Sequence, residues 1–324
     1  MAGSAFSSLT PALHGDTERR LRRIREHAQA AGVNPCVVNN GLPYLHFRVQ
    51  AEGDYSSLSG SHHAPGYDFS RWGATLGMTV DASDSFSAGL VLTSLWGDLR
   101  TDAPDRLDSD VNTTYFSLFA RYRSCCWVHI LAGTFGLADF DTERRVHSGS
   151  AGYNTHSSTD GRSLGLMYEL MYDSLPHADD ALFLQPLINI SFRHSSVGSF
   201  TEHGSDASLR VSPADMNTLT LAAGARLQAT VGENWYNRSS LFQCRALLAF
   251  DIGDRRGEAS TALLYGSGRE SVQGSSPGAF GAELGAGLSI PIGAESGTIF
   301  MDAAVLLRSH LSEVNGTVGY SISF

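Results

Sequence analysis

The sequence predicts an all-β fold, a twelve-stranded antiparallel transmembrane β-barrel with an N-terminal α-helix in its lumen. Three observations predict the barrel; the place of the helix rests on residues 16–31. From residue 44 onward apolar and polar residues alternate, the spacers between the alternating runs are by turns long and short, and the chain stops inside its last run, Thr317-Val318-Gly319-Tyr320-Ser321-Ile322-Ser323-Phe324. A period of two gives a strand one apolar and one polar face. A strand that ends on an apolar side chain has no solvated tail, as expected where the last strand must pair with the first and leave no edge.

Composition agrees. Charged residues make up 17% of the 324 and the mean hydropathy is close to zero. That suits strands that are apolar on one face only. No uncharged apolar run approaches the roughly 18 residues that a spanning helix needs. The formal net charge of -10 argues against nucleic acid as a partner, and all 23 basic residues are Arg. Met1 to His14 has neither a basic n-region nor an apolar h-region. An outer-membrane protein would then take its secretory signal from further upstream, so residues 1–15 are read as the end of a passenger or linker, or as an arbitrary chain boundary.

Residues 16–35 are read as the lumenal linker, with a helix over 16–31 that Asp16 caps and Gly32 and Pro35 stop. Its apolar stripe, Leu21, Ile24, Ala28 and Ala31, is thin, and Arg19, Arg20, Arg22, Arg23 and Arg25 cover the rest. Such a helix does not suit a dry core. A solvated linker and a helix in a wet barrel lumen both fit the pattern. Sixteen residues at about 1.5 Å each span about 24 Å, close to the roughly 25 Å apolar band of an outer-membrane barrel.

Residues 36–324 are read as the barrel domain. Leu45, Phe47, Val49 and Ala51 alternate with His46, Arg48, Gln50 and Glu52, and Trp72, Ala74, Leu76 and Met78 with Arg71, Thr75 and Thr79. The pattern recurs and places strands near 44–53, 69–81, 85–97, 112–123, 126–138, 161–173, 182–195, 216–231, 239–252, 279–291, 297–308 and 312–324. Spacers alternate between long and short until 309–311, the segregation of loop length found in outer-membrane barrels. On the short-turn side Tyr44, Tyr122, Trp127, Tyr172, Trp235, Tyr236 and Phe324 collect as an interfacial girdle would.

Three local stretches carry a family resemblance. They are Phe140 to Val146 (FDTERRV), Gly198 to Glu202 (GSFTE) followed by Ala207 to Val211 (ASLRV), and Gly224 to Leu227 (GARL). With the helix, the twelve strands and the terminal Phe324, the chain over 16–324 resembles the translocator β-domain of an autotransporter, the type V secretion module. The resemblance implies insertion into the outer membrane and export and surface anchoring of a passenger fused at the N-terminus, with the helix as plug and tether. Lumen-facing side chains to meet that helix are Arg48, Glu52, Arg71, Glu169, Arg193, Arg226, Arg245 and Glu283, the three glutamates pairing with its arginines at modest benefit if water fills the space. The last strand resembles an assembly signal, with Thr317, Gly319, Ile322 and Phe324 as the positions that the outer-membrane β-barrel assembly machinery would recognise.

Some autotransporters cut an Asn-Asn pair in the lumenal helix, and Asn39-Asn40 occurs here, but it lies beyond the helix stop. Cys36, Cys125 and Cys126 would share the periplasmic, oxidising side, where a disulfide from Cys36 to one of the other two would anchor the tether; Cys244 reads as a small apolar residue. No catalytic, cofactor or metal site is expected. The rival classes are an outer-membrane barrel hydrolase, protease or lipase, and a porin-like channel; Asp102, Asp105, Asp108, Asp110, His147 and His62-His63 read as loop surface rather than a site. The expected partners are the chain's own passenger, the assembly machinery and outer-membrane lipid, with no nucleic acid and a monomeric barrel.

Overall fold

The computed structural model describes residues 4–30, 44–60, 64–101, 106–148, 151–173, 182–233, 239–265, 268–292 and 297–324. A 3-10 turn (Ser4–Ser8) leads into helix α1 (Leu9–Ala30). Sixteen strands follow: β1 (Tyr44–Leu58), β2 (Tyr67–Ser83), β3 (Phe86–Thr101), β4 (Arg106–Ser124), β5 (Trp127–Ser148), β6 (Ala151–Tyr172), β7 (Leu182–Val197), β8 (Phe200–Thr201), β9 (Leu209–Val211), β10 (Ala214–Glu233), β11 (Ser239–Gly253), β12 (Glu258–Leu263), β13 (Arg269–Gln273), β14 (Phe280–Ile292), β15 (Gly297–Arg308) and β16 (Leu311–Ser323).

Twelve of these close a barrel, and β8, β9, β12 and β13 form a separate small sheet. Every barrel strand pairs antiparallel with its neighbours, and β16 returns to β1 in one register from Leu58↔Leu311 to His46↔Ser323. The ladder runs to the last residue. The Phe324 N–H donates to the Leu45 carbonyl at 2.9 Å, and the Leu45 N–H donates back at 3.3 Å. Along each strand the two faces divide as the alternation requires. Leu76, Leu118, Leu131, Leu166, Ile188 and Leu248 stand exposed on the outer face, while Thr75, Thr93, Ser117, Thr134 and Asn189 are buried on the inner one.

All twelve predicted barrel strands occur, but β1, β3, β4, β5 and β6 run four or more residues further toward the long-loop end. Strands β5 and β6 reach 22 residues each, about twice the 9–11 that a tilted strand needs to cross a bilayer. Most of the expected loop 139–160 is therefore a projecting hairpin. The expected loops 196–215 and 253–278 supply the small sheet, in which Phe200 pairs with Val211 and Thr261 with the same Val211. Its apolar residues Phe200, Leu209, Val211 and Ala259 join Leu99, Leu107, Val111, Phe140 and the start of the chain in one buried cluster over the barrel mouth. Asp108 and Asp110 lie on β4 and His147 on β5; Asp102, Asp105 and the His62-His63 pair lie outside the described residues.

The helix needs a correction. It starts at Leu9, seven residues before the expected cap, and Asp16 sits inside it, ion-paired with Arg71. Gly15 does not break it, and Pro11 falls in the first turn, where no N–H partner is lost. Leu9, Ala12 and Leu13 extend the apolar stripe into the mouth cluster; that burial outweighs the roughly 1 kcal/mol by which a helical Gly is poorer than Ala. With 22 residues, α1 is about 33 Å long and traverses the lumen.

Candidate functional site: the lumenal helix and its wall

The functional candidate is the interior, where α1 lies against the barrel wall. Its placement is asymmetric. Leu21, Ile24 and Ala28 pack with Val128, Ile130, Ala132, Met167, Met171 and Leu187, so the apolar stripe docks on β5, β6 and β7. The charged flanks then reach the remaining wall. The expected water-filled lumen is not what surrounds these charges: Arg19, Arg20, Arg22, Arg23 and Arg25 are all buried, none more than 7% exposed.

Each of these five arginines meets a carboxylate. Arg20 donates to Glu52 at 2.9 Å and to the Thr93 hydroxyl at 2.9 Å. Arg19 and Arg22 share Glu313, at 2.9 and 2.5 Å. Arg23 bonds Glu26 at 3.0 Å, Asn315 at 2.9 Å and Thr317 at 3.2 Å. Arg25 bonds Glu283 at 2.7 Å, with Glu169 at 3.8 Å. The helix carboxylates are paired in the opposite sense: Asp16 with Arg71, Glu18 with Arg193 and with Arg308, and Glu26 with Arg245 at 2.6 Å. Near the helix C-terminus Gln29 donates to Glu169 at 2.6 Å and accepts from Arg226 at 2.9 Å.

Seven of the eight lumen-facing candidates therefore touch helix side chains directly. Arg48 instead places its guanidinium 3.5 Å from the centroid of the Phe300 ring. Several members escaped the sequence reading. Glu313, Asp54, Asp251 and Arg308 complete the lattice, with Arg71 bridging Asp16 and Asp54 and Arg308 pairing with Asp251. A signal for Glu313 existed: with Asn315 and Thr317 it alternates against Val314 and Val318, which puts it on the inner face of the last strand.

The closing strand shows what each proposed signal position does in the folded barrel. Thr317 accepts from Arg23. Gly319 leaves space that nothing else fits: a Cβ there would lie 2.3 Å from Phe300 Cζ and 2.5 Å from the Val49 carbonyl oxygen. Ile322 pairs with Phe47, and Phe324 meets the Phe47 ring edge-on with centroids 6.1 Å apart. At this rim His46 bridges three strands, its Nδ1 2.6 Å from Ser323 Oγ and its Nε2 2.7 Å from Asp81. Sequence reasoning missed this chain because its members lie 35 and 277 residues from His46.

Cys125 and Cys126 form the β4–β5 turn with their sulfurs 3.6 Å apart, and Cys125 takes a positive φ of 54°. Cys36 and Asn39-Asn40 lie outside the described residues, as do Trp235 and Tyr236. On the described part of the short-turn rim, Tyr122, Trp127, Tyr172 and Phe324 are exposed, with Trp127 packed edge-on against Tyr172 at 5.1 Å.

The family model described as autotransporter beta-domain matches residues 47–304. The chain belongs to the autotransporter β-domain family. It is an outer-membrane barrel that mediates passenger export, and its long loops face outward and its short turns the periplasm. The fold matches the translocator domain of the autotransporter NalP from Neisseria meningitidis with a TM-score of 0.70 at 14% identity, covering 96% of this chain and 97% of that one. It also matches the β-domain of the Bordetella autotransporter BrkA, with a TM-score of 0.57 at 13% identity over 86% of this chain and 98% of that one. An extracellular serine protease of Serratia marcescens is 26% identical over 215 residues, 62% of this β-domain and 20% of the protease. The chain thus spans about a fifth of the length of the curated relatives it matches.

Removing one partner of a buried ion pair strands the other. Glu313→Ala takes the shared carboxylate from Arg19 and Arg22, and is expected to cost about 3–5 kcal/mol. The unfolding midpoint of the detergent-folded barrel should fall accordingly, whereas raising the salt should leave the wild type nearly unchanged, since buried pairs are little screened. A salt-sensitive wild type with an unaltered Glu313→Ala midpoint would contradict a dry lattice.

Proposed function

We propose that α1 is the plug and tether left in the lumen once an upstream passenger has crossed the outer membrane. The carrying observation is the two-sided fit of α1, apolar stripe on β5–β7 and arginine flanks on the remaining wall. Its N-terminus lies at the long-loop end, so a passenger ahead of residue 4 would stand outside the cell. On this reading residues 1–15 combine a linker with the first turns of the plug, the rest of α1 and the segment to 35 complete the tether, and 36–324 is the translocating barrel. The barrel closes through its own β1 and β16, which supports a monomer. A disulfide from Cys36 to Cys125 or Cys126 would fasten the tether at the periplasmic rim.

The plug reading is tested by planar-bilayer recording. The full chain should be nearly silent, and a variant lacking residues 1–35 should conduct. Equal, large conductance from both would mean a porin-like channel.

Thr317, Gly319, Ile322 and Phe324 are the positions offered to the assembly machinery. Phe324→Ser, or deletion of Phe324, removes the outward aromatic and its packing on Phe47, and should strongly reduce heat-modifiable protein in outer-membrane fractions. Wild-type levels would remove the signal from Phe324.

The role is export rather than catalysis. One observation favours the rival hydrolase, the Ser323–His46–Asp81 chain, which has a nucleophile, a base and an acid in hydrogen-bond contact. The same contacts serve closure by tying β16, β1 and β2 together at the rim. A fluorophosphonate probe should leave the folded barrel unlabelled. Labelling that disappears in Ser323→Ala would establish the hydrolytic reading instead.

A further inference from the structure

The segment ahead of α1 does not leave the barrel as solvated chain. Phe6, in the 3-10 turn, is 3% exposed and packs edge-on against Phe200 of β8, with ring centroids 5.0 Å apart. The Arg144 guanidinium carbon lies 5.8 Å from the centre of the same ring. Arg144 is held in place by Glu202 through two parallel bonds, Nε to Oε1 at 2.8 Å and Nη2 to Oε2 at 2.5 Å. Glu202 also accepts from Thr155 at 2.7 Å and from the Leu209 N–H at 2.9 Å. On the other flank a Cβ at Gly257 or Gly274 would lie 2.3 or 2.8 Å from the Ser7 carbonyl oxygen, so only glycine lets the 253–278 loop close on the chain. The 196–215 and 253–278 loops are joined to each other by β9–β12 pairing.

The pairs made by Arg19, Arg22 and Arg25 do not by themselves choose one height for the helix. Arg19, Arg22 and Arg25 repeat at one-turn spacing, and Glu313 already serves two of them. A slide of three residues, about 4.5 Å with a small rotation, would bring Arg22 toward the place of Arg19 and Arg25 toward that of Arg22. An aromatic ring inside a closed socket has no such neighbouring position.

We infer that Phe6 is a stop anchor: the cap built by β8, β9, β12 and β13 closes on this side chain and sets the height at which the exported chain comes to rest. The inference rests on reading α1 as the plug. While chain is passing, the two loops stand apart; when Phe6 arrives between them, β9 and β12 pair and the Arg144–Glu202 fork completes the socket.

The test uses the full chain and its Phe6→Ala, Phe6→Leu and Glu202→Gln variants, each first shown to be a folded, heat-modifiable barrel. Hydrogen exchange read by mass spectrometry should speed up by about tenfold or more for peptides within residues 4–13 in Phe6→Ala and Glu202→Gln, with peptides within 21–30 still protected by their own cluster. Phe6→Leu, which keeps an apolar side chain, should fall between. Bilayer traces of Phe6→Ala and Glu202→Gln should show transient openings that the wild type lacks. Wild-type exchange and a silent trace in Phe6→Ala, alongside an open pore on removal of residues 1–35, would overturn the anchor and leave the plug standing. A wild type that is already open would overturn the plug and the anchor with it.

Discussion

In hydrocarbon a backbone N–H or C=O without a partner costs several kcal/mol, and the whole architecture follows from meeting that requirement with strands. A sheet in a membrane has no tolerable edge. The closing ladder between β1 and β16 is therefore the interaction on which everything else depends, and it extends to the terminal residue, where Phe324 and Leu45 exchange backbone hydrogen bonds. His46 reinforces the same seam from the inner face by linking Ser323 to Asp81. Gly319 belongs to this seam as well, since any side chain there would collide with Phe300 and the Val49 backbone.

Closure creates an interior, and the interior must be filled. Twelve strands leave room for one helix, and α1 fills it by presenting two chemically different sides. The apolar side makes a small dry core with β5–β7, while the arginines cross to Glu52, Glu283 and Glu313. Buried ion pairs of this kind add little net stability over apolar packing of the same volume, yet an unmatched one is heavily penalised. They thus discriminate between arrangements more than they stabilise any one of them. For a helix with one resting place in the barrel, discrimination is the useful property.

The cap adds a second level of discrimination at the outer mouth. Arg144 and Glu202 have their charges fully withdrawn from water, and the carboxylate's remaining acceptor sites are taken by Thr155 and the Leu209 backbone. The short stretches FDTERRV, GSFTE and ASLRV, which carried the family resemblance, are the pieces that build this cap. Arg144 comes from the first, Phe200 and Glu202 from the second, and Leu209 and Val211 from the third.

The sequence alone determined the barrel. Period-two alternation follows from a strand having two faces, and it placed all twelve staves; the same parity put Arg71, Arg193 and Glu283 on the inner wall. It also located the helix, though the stripe ran on through Leu9 and Leu13 past a glycine that a local rule takes as a stop. What only tertiary structure decided was contact across the lumen. Which wall receives Leu21 and Ile24, that Arg19 and Arg22 share Glu313, and that Phe6 meets Phe200 depend on residues roughly 100 to 300 positions apart in the chain. Parity says which face a side chain takes but nothing of what stands opposite. The loops were hidden for a related reason: the pairing of β9 with β12 is only three residues long, too short for a period to show, and it holds because closure of the barrel had already brought both loops over one mouth.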